Sequence, residues 1–65
     1  MNPIVFSVTK ISDDRGGLYN IATNDAELGE LNYYRVPKSE LFNMMEILKD
    51  CFATDERNVI FEEVE

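Results

Sequence analysis

Apolar and polar positions are sorted most clearly in Pro37–Phe52, PKSELFNMMEILKDCF, where Leu41, Met44, Met45, Leu48, Cys51 and Phe52 recur at intervals of three and four. At about 100° per residue they form one stripe of a helix, and Glu40, Asn43, Glu46, Lys49 and Asp50 fall outside it. Phe42 and Ile47 lie on opposite margins of the stripe and widen the surface it can cover. A single helix cannot bury such a stripe against itself, so the rest of the chain must supply the partner surface.

The remaining apolar runs alternate with a period of two or are rich in β-branched and aromatic residues. Ile4–Ile11 is expected to be a strand with Ile4, Phe6 and Val8 on its core face. SDDRGG follows, with turn-forming aspartates and with Gly16 and Gly17 free to take positive φ. Leu18–Thr23 is the second strand, with Tyr19 and Ile21 on one face, and the short loop makes the pair an antiparallel hairpin. Between Asn24 and Glu30 two readings stand. Asn24 with Glu27 three residues later has capping-box character and could start a helical turn over Asp25–Leu28, ended by Gly29; a plain loop is the alternative. Leu31–Val36 is the third strand, Pro37 ends it and opens the helix, ATDERN is a polar connection, and Val59–Val64 is the last strand.

The order β-β-β-α-β predicts an α+β fold: one compact domain over residues 1–65, a small antiparallel or mixed sheet, and one helix across one face. A right-handed crossover after the third strand puts the fourth beside the first, in the order 3-2-1-4. A chain of 65 residues buries only about 60% of its unfolded surface, so the core is small.

Charge narrows the function classes. Thirteen acidic against six basic residues leave a net charge of −7 with no histidine. That balance argues against direct binding to nucleic acid or anionic lipid and favours a basic protein surface or plain solubility. No run reaches the roughly 20 apolar residues that span a bilayer, and Ile4–Phe6 lacks the flanks of a signal peptide, so a soluble, cytosolic protein is expected. The chemistry of enzymes is poorly represented. The commonest general base is missing; Cys51 falls in the apolar stripe and is expected to pack in the core; Gly16–Gly17 lacks the spacing of a phosphate loop; and the aspartates do not alternate as calcium ligands do. No catalytic residue, metal or cofactor is assigned. An acidic pair with strongly raised pKa values is the one arrangement that would revive an enzyme.

Two groups suit partner binding. Tyr33 and Tyr34 point to opposite faces, so one packs under the helix and the other, beside Arg35, either anchors an interface or packs on the open sheet face. Residues 1–36 carry five acids and three bases, and residues 37–65 carry eight and three, so negative charge gathers in the C-terminal half. Glu46 and Asp50 lie one helical turn apart, about 6 Å, and Glu63 and Glu65 roughly 6.6 Å apart along a strand. Such spacings can imitate phosphates along a nucleic acid strand; the other reading is a solvated face that keeps a small protein soluble.

VTKISDDRGGLYNIAT, with Gly16–Gly17 at its bend, resembles the opening hairpin of small type I anti-CRISPR proteins, and RVPKSELFNMMEIL resembles their Val-Pro entry into the main helix. A looser likeness is to phage inhibitors of uracil-DNA glycosylase, in size, acidity and strand-strand-helix-strand order. The resemblance implies a phage-encoded inhibitor, acting in the host cytosol, that occupies a DNA-binding surface on a defence or repair protein. Glu46, Asp50, Glu62, Glu63 and Glu65 are the candidate charges, with Tyr34 and Arg35 as the anchor. The contrasting expectation is a small structural or assembly subunit, such as a homodimer, held by apolar contacts through a paired edge strand.

Overall fold

Ile4–Ser12 forms the strand β1, whose even positions Ile4, Phe6 and Val8 are buried as the alternation requires. A computed structural model describes residues 2–64 of the chain. After β1 comes one 3-10 turn over Asp14–Gly16, and Arg15, Gly16 and Gly17 all take positive φ, which turns the chain within a few residues. Strand β2 is Leu18–Asp25, β3 is Gly29–Pro37, the helix α1 is Lys38–Phe52 and β4 is Val59–Val64. The sheet order is β3-β2-β1-β4, with β1–β2 and β2–β3 antiparallel and β1–β4 parallel. This is the expected mixed α+β fold, with β4 beside β1.

The core lies between one sheet face and α1. Ile4, Phe6, Val8, Ile21, Val36 and Val59 come from the sheet, and Leu48 is the fully buried residue of the helix. Phe6 is 0% exposed, with the Phe52 ring at 6.1 Å and the Phe61 ring at 5.6 Å, so β1, β4 and the end of α1 meet on one side chain. The first helical N–H, that of Lys38, donates to the Gly17 carbonyl at 3.0 Å, which ties the start of α1 to the start of β2.

Two expectations are corrected and one open choice is decided. Of the two readings after Asn24 the loop holds: it is a three-residue hairpin loop between Asp25 and Gly29, with Gly29 at φ +81. The capping residue is Asp25, whose carboxylate accepts the N–H groups of Glu27 at 3.0 Å and Leu28 at 3.2 Å. Cys51 is exposed, not core. It lies about 60° round the helix from Leu48, on the same flank as Ile47, which is 47% exposed. Phe42, on the other margin, is 74% exposed. The helix thus buries a narrower stripe than its sequence offers.

A bulge sets the register of β3. Tyr19 pairs with Val36 and Ile21 with Tyr33, so Tyr34 and Arg35 together oppose Asn20, with Arg35 at φ +58. The extra residue turns both Tyr33 and Val36 toward the helix although they are three apart.

Arg57 fastens the far end of the molecule. Thr54 Oγ1 accepts the N–H groups of Glu56 and Arg57 and shapes the connection before β4. The Arg57 guanidinium donates to Asp25 Oδ1 at 2.6 Å and Oδ2 at 2.9 Å, and its Nε donates to the Asn2 carbonyl at 2.8 Å. Both side chains are only 12% exposed. This guanidinium, together with the two turn N–H groups, holds the Asp25 carboxyl well below its ordinary range.

Two expectations follow. Leu48→Ala should cost about 2–5 kcal/mol in urea unfolding, whereas Phe42→Ala should change stability by less than about 0.5 kcal/mol; similar losses would mean the helix presents a different face to the sheet. Because the Asp25 pKa is depressed in the fold, its stabilisation is present at neutral pH and disappears as pH falls from about 4 downward. Asp25→Asn should therefore lower the urea midpoint at pH 7 and flatten its decline in acid, and parallel midpoint-against-pH curves for the two proteins would contradict this role.

Candidate partner-binding surface

Helical phase puts Glu46 and Asp50 on the outward back of α1, both exposed, one turn apart and directed away from the sheet. Like charges at i and i+4 repel by about 0.2–0.5 kcal/mol. Asp50 also stands in the last turn, where the helix dipole is negative and an anion is unfavourable.

Strand register places the other acids. Glu62 pairs with Ser7 and so lies on the sheet face without the helix, while Glu63 pairs with the buried Val8 and lies on the helix side. Both are exposed. Glu65 is outside the described residues. Among the described residues, Glu46, Asp50, Glu62 and Glu63 take part in no ion pair; the pairs formed are Lys10–Asp13 and those of Arg57 with Asp25 and Glu27. The acids are therefore un-neutralised, but they do not form one continuous face. Glu46, Asp50 and Glu63 belong to the helix side, and Glu62 is separated from them by the sheet itself.

Tyr34 is 69% exposed, the outward member of the tyrosine pair, and Arg35 beside it is exposed in the bulge. They sit on β3, at the opposite edge of the sheet from β4, three strand spacings or about 14 Å away. The expected anchor does not adjoin the β4 acids. Tyr34 and Arg35 instead border a shallow depression that also includes Pro37, Asn43, Met44 and Ile47.

Sequence reasoning missed a groove between α1 and β4. Tyr19, Phe42, Met45 and Phe61 line it, Lys38 and Glu63 add charge, and its volume is about 310 Å³. The available signal was Phe42: an apolar residue about 120° from the stripe centre cannot reach the sheet and must border something else. Beside this groove runs the outer edge of β4, whose only strand partner among the described residues is β1.

No described helix is long and apolar enough to cross a membrane, and the described residues hold no group of three His, Cys, Asp or Glu side chains placed to share a metal ion. Comparison with protein-family models, with curated proteins and with solved structures finds no match to this chain.

Proposed function

We propose that this chain is a non-enzymatic binding protein, an inhibitor of the anti-CRISPR type, that sets acidic side chains of its helix side against a basic nucleic-acid-binding surface. The supporting observation is the Glu46–Asp50 pair, exposed, unpaired by cations, with mutual repulsion opposing both members and the helix dipole opposing Asp50. Such a pair costs the fold stability and leaves two anions free to face a partner. Glu63 extends the charge toward β4, while Glu62, on the opposite face, does not contribute to a flat contact on the helix side.

A second reading, an assembly subunit held by apolar contacts, is favoured by the exposed Phe42 and Ile47 on the two margins of α1. Salt separates the two. Charge-led binding weakens steeply as ionic strength rises, whereas apolar assembly hardly responds.

The test combines capture with competition. Immobilised protein in a bacterial lysate at low salt should retain nucleic-acid-binding proteins that added duplex DNA releases. The triple variant Glu46→Gln, Asp50→Gln, Glu63→Gln should bind the same proteins at least about tenfold more weakly, a loss of about 1.4 kcal/mol. Its fold should be no less stable, and by about 0.2–0.5 kcal/mol more so once the Glu46–Asp50 repulsion is gone. A folded triple variant with undiminished, DNA-releasable capture would remove the charge mechanism.

A further inference from the structure

We propose that the outer edge of β4 accepts an extended segment of the partner as a fifth strand, and that this segment carries two consecutive basic residues flanked by apolar ones. The inference rests on the acidic-binding reading above and specifies where and how that partner is held.

The edge is available because of the hydrogen-bond phase of the parallel pair. Ile4 N–H donates to the Asn58 carbonyl at 2.8 Å, and the β1–β4 register then runs without interruption from Ile4↔Val59 to Thr9↔Val64. In a parallel ladder with that phase, Ile60, Glu62 and Val64 turn their backbone groups to β1. Val59, Phe61 and Glu63 turn theirs outward, where the described residues offer no further strand. The opposite edge is less suitable: β3 is broken by the Tyr34–Arg35 bulge and ends in Pro37. β4 has neither a proline nor a register shift.

Charge selects the occupant. A second copy pairing through β4 would bring Glu62 and Glu63 of both chains to one seam, and like charges across strands repel. A basic segment reverses the sign. Residues directly opposite in paired strands share a face, so one basic side chain meets Glu62 on the open face and its neighbour meets Glu63 on the helix side. Opposite Ile60, Phe61 and Val64 the segment needs apolar residues. On the helix side it runs past the groove lined by Phe42, Met45 and Phe61, which can take an apolar side chain.

A capped peptide with two adjacent lysines flanked on each side by two valines is the probe. Titrated into the protein and followed by amide NMR, it should shift the Val59, Phe61 and Glu63 N–H signals and slow their exchange, with smaller changes at Ile60 and Glu62. A peptide of the same composition with the lysines separated by one residue puts both on one face and should bind several-fold more weakly. One N-methylated on alternate amides of its pairing edge should not bind. Glu63→Pro removes an outward N–H and no ladder bond, so it should keep the fold and lose the peptide at least tenfold, while Glu63→Gln should lose less and blunt the salt dependence. The proposal is overturned if the peptide leaves the β4 amides unmoved, if the N-methylated peptide binds equally well, or if sedimentation shows the protein already paired with itself through this edge. The two readings fail separately. Lysate capture that survives Glu63→Pro but not the triple glutamine variant removes the edge and leaves the acidic surface standing.

Discussion

Phe6 is the point at which the layers of this small domain are joined. One ring, fully buried at the third position of β1, is touched by Phe52 from the last turn of α1 and by Phe61 from β4. The helix and the final strand are distant from β1 in the chain, and each needs apolar cover that it cannot provide for itself. Meeting on the same ring holds the parallel strand beside β1 and the end of the helix over the sheet. With one α-helix among the described residues, one sheet face is covered and the other is left open.

The Arg57–Asp25 pair performs the same task at the other end with polar groups. Its guanidinium reaches the carboxylate of the β2–β3 turn and the carbonyl of Asn2, so the polar connection before β4 is locked to the turn and to the start of the chain. The pair is largely covered yet saturated: both carboxylate oxygens are engaged, and two backbone N–H groups complete Oδ2. Removal of either partner would leave a covered charge unmatched, which is why such pairs resist change more than their net contribution suggests. One of six cations is thereby withdrawn from the surface balance, and with it Asp25 from the acids.

Much of this was legible in the residues. Period-two alternation identified β1, and the helix stripe, the strand order and the outward Tyr34 also follow from pattern. What pattern could not supply was everything set by distance across the fold. Cys51 has the spacing of a core residue, but the helix buries Leu48 and leaves the flank about 60° away exposed, so the thiol faces water. Asn24 and Asp25 are equally good turn residues by type, and only the arrival of Arg57 from 32 residues away shows which side chain organises the loop. The bulge at Arg35 carries no glycine to announce it; it is visible only once Tyr33 and Val36 must both face the helix. The acids were counted correctly and grouped by sequence proximity, which a strand does not respect.

That last point governs how a short acidic strand can be used. Glu62 and Glu63 are adjacent in the chain and lie on opposite faces of the sheet, so no flat surface can meet both. What they share is the edge of β4. A partner lying along that edge projects its own successive side chains to the two faces in turn, and it is the one geometry in which neighbouring anions on a strand act together. The same two charges, set on a strand with outward backbone groups at Val59, Phe61 and Glu63, repel an identical strand. In the proposed mode of binding, selectivity against self-association and attraction for a basic segment come from a single feature: negative charge on both faces of an otherwise regular edge.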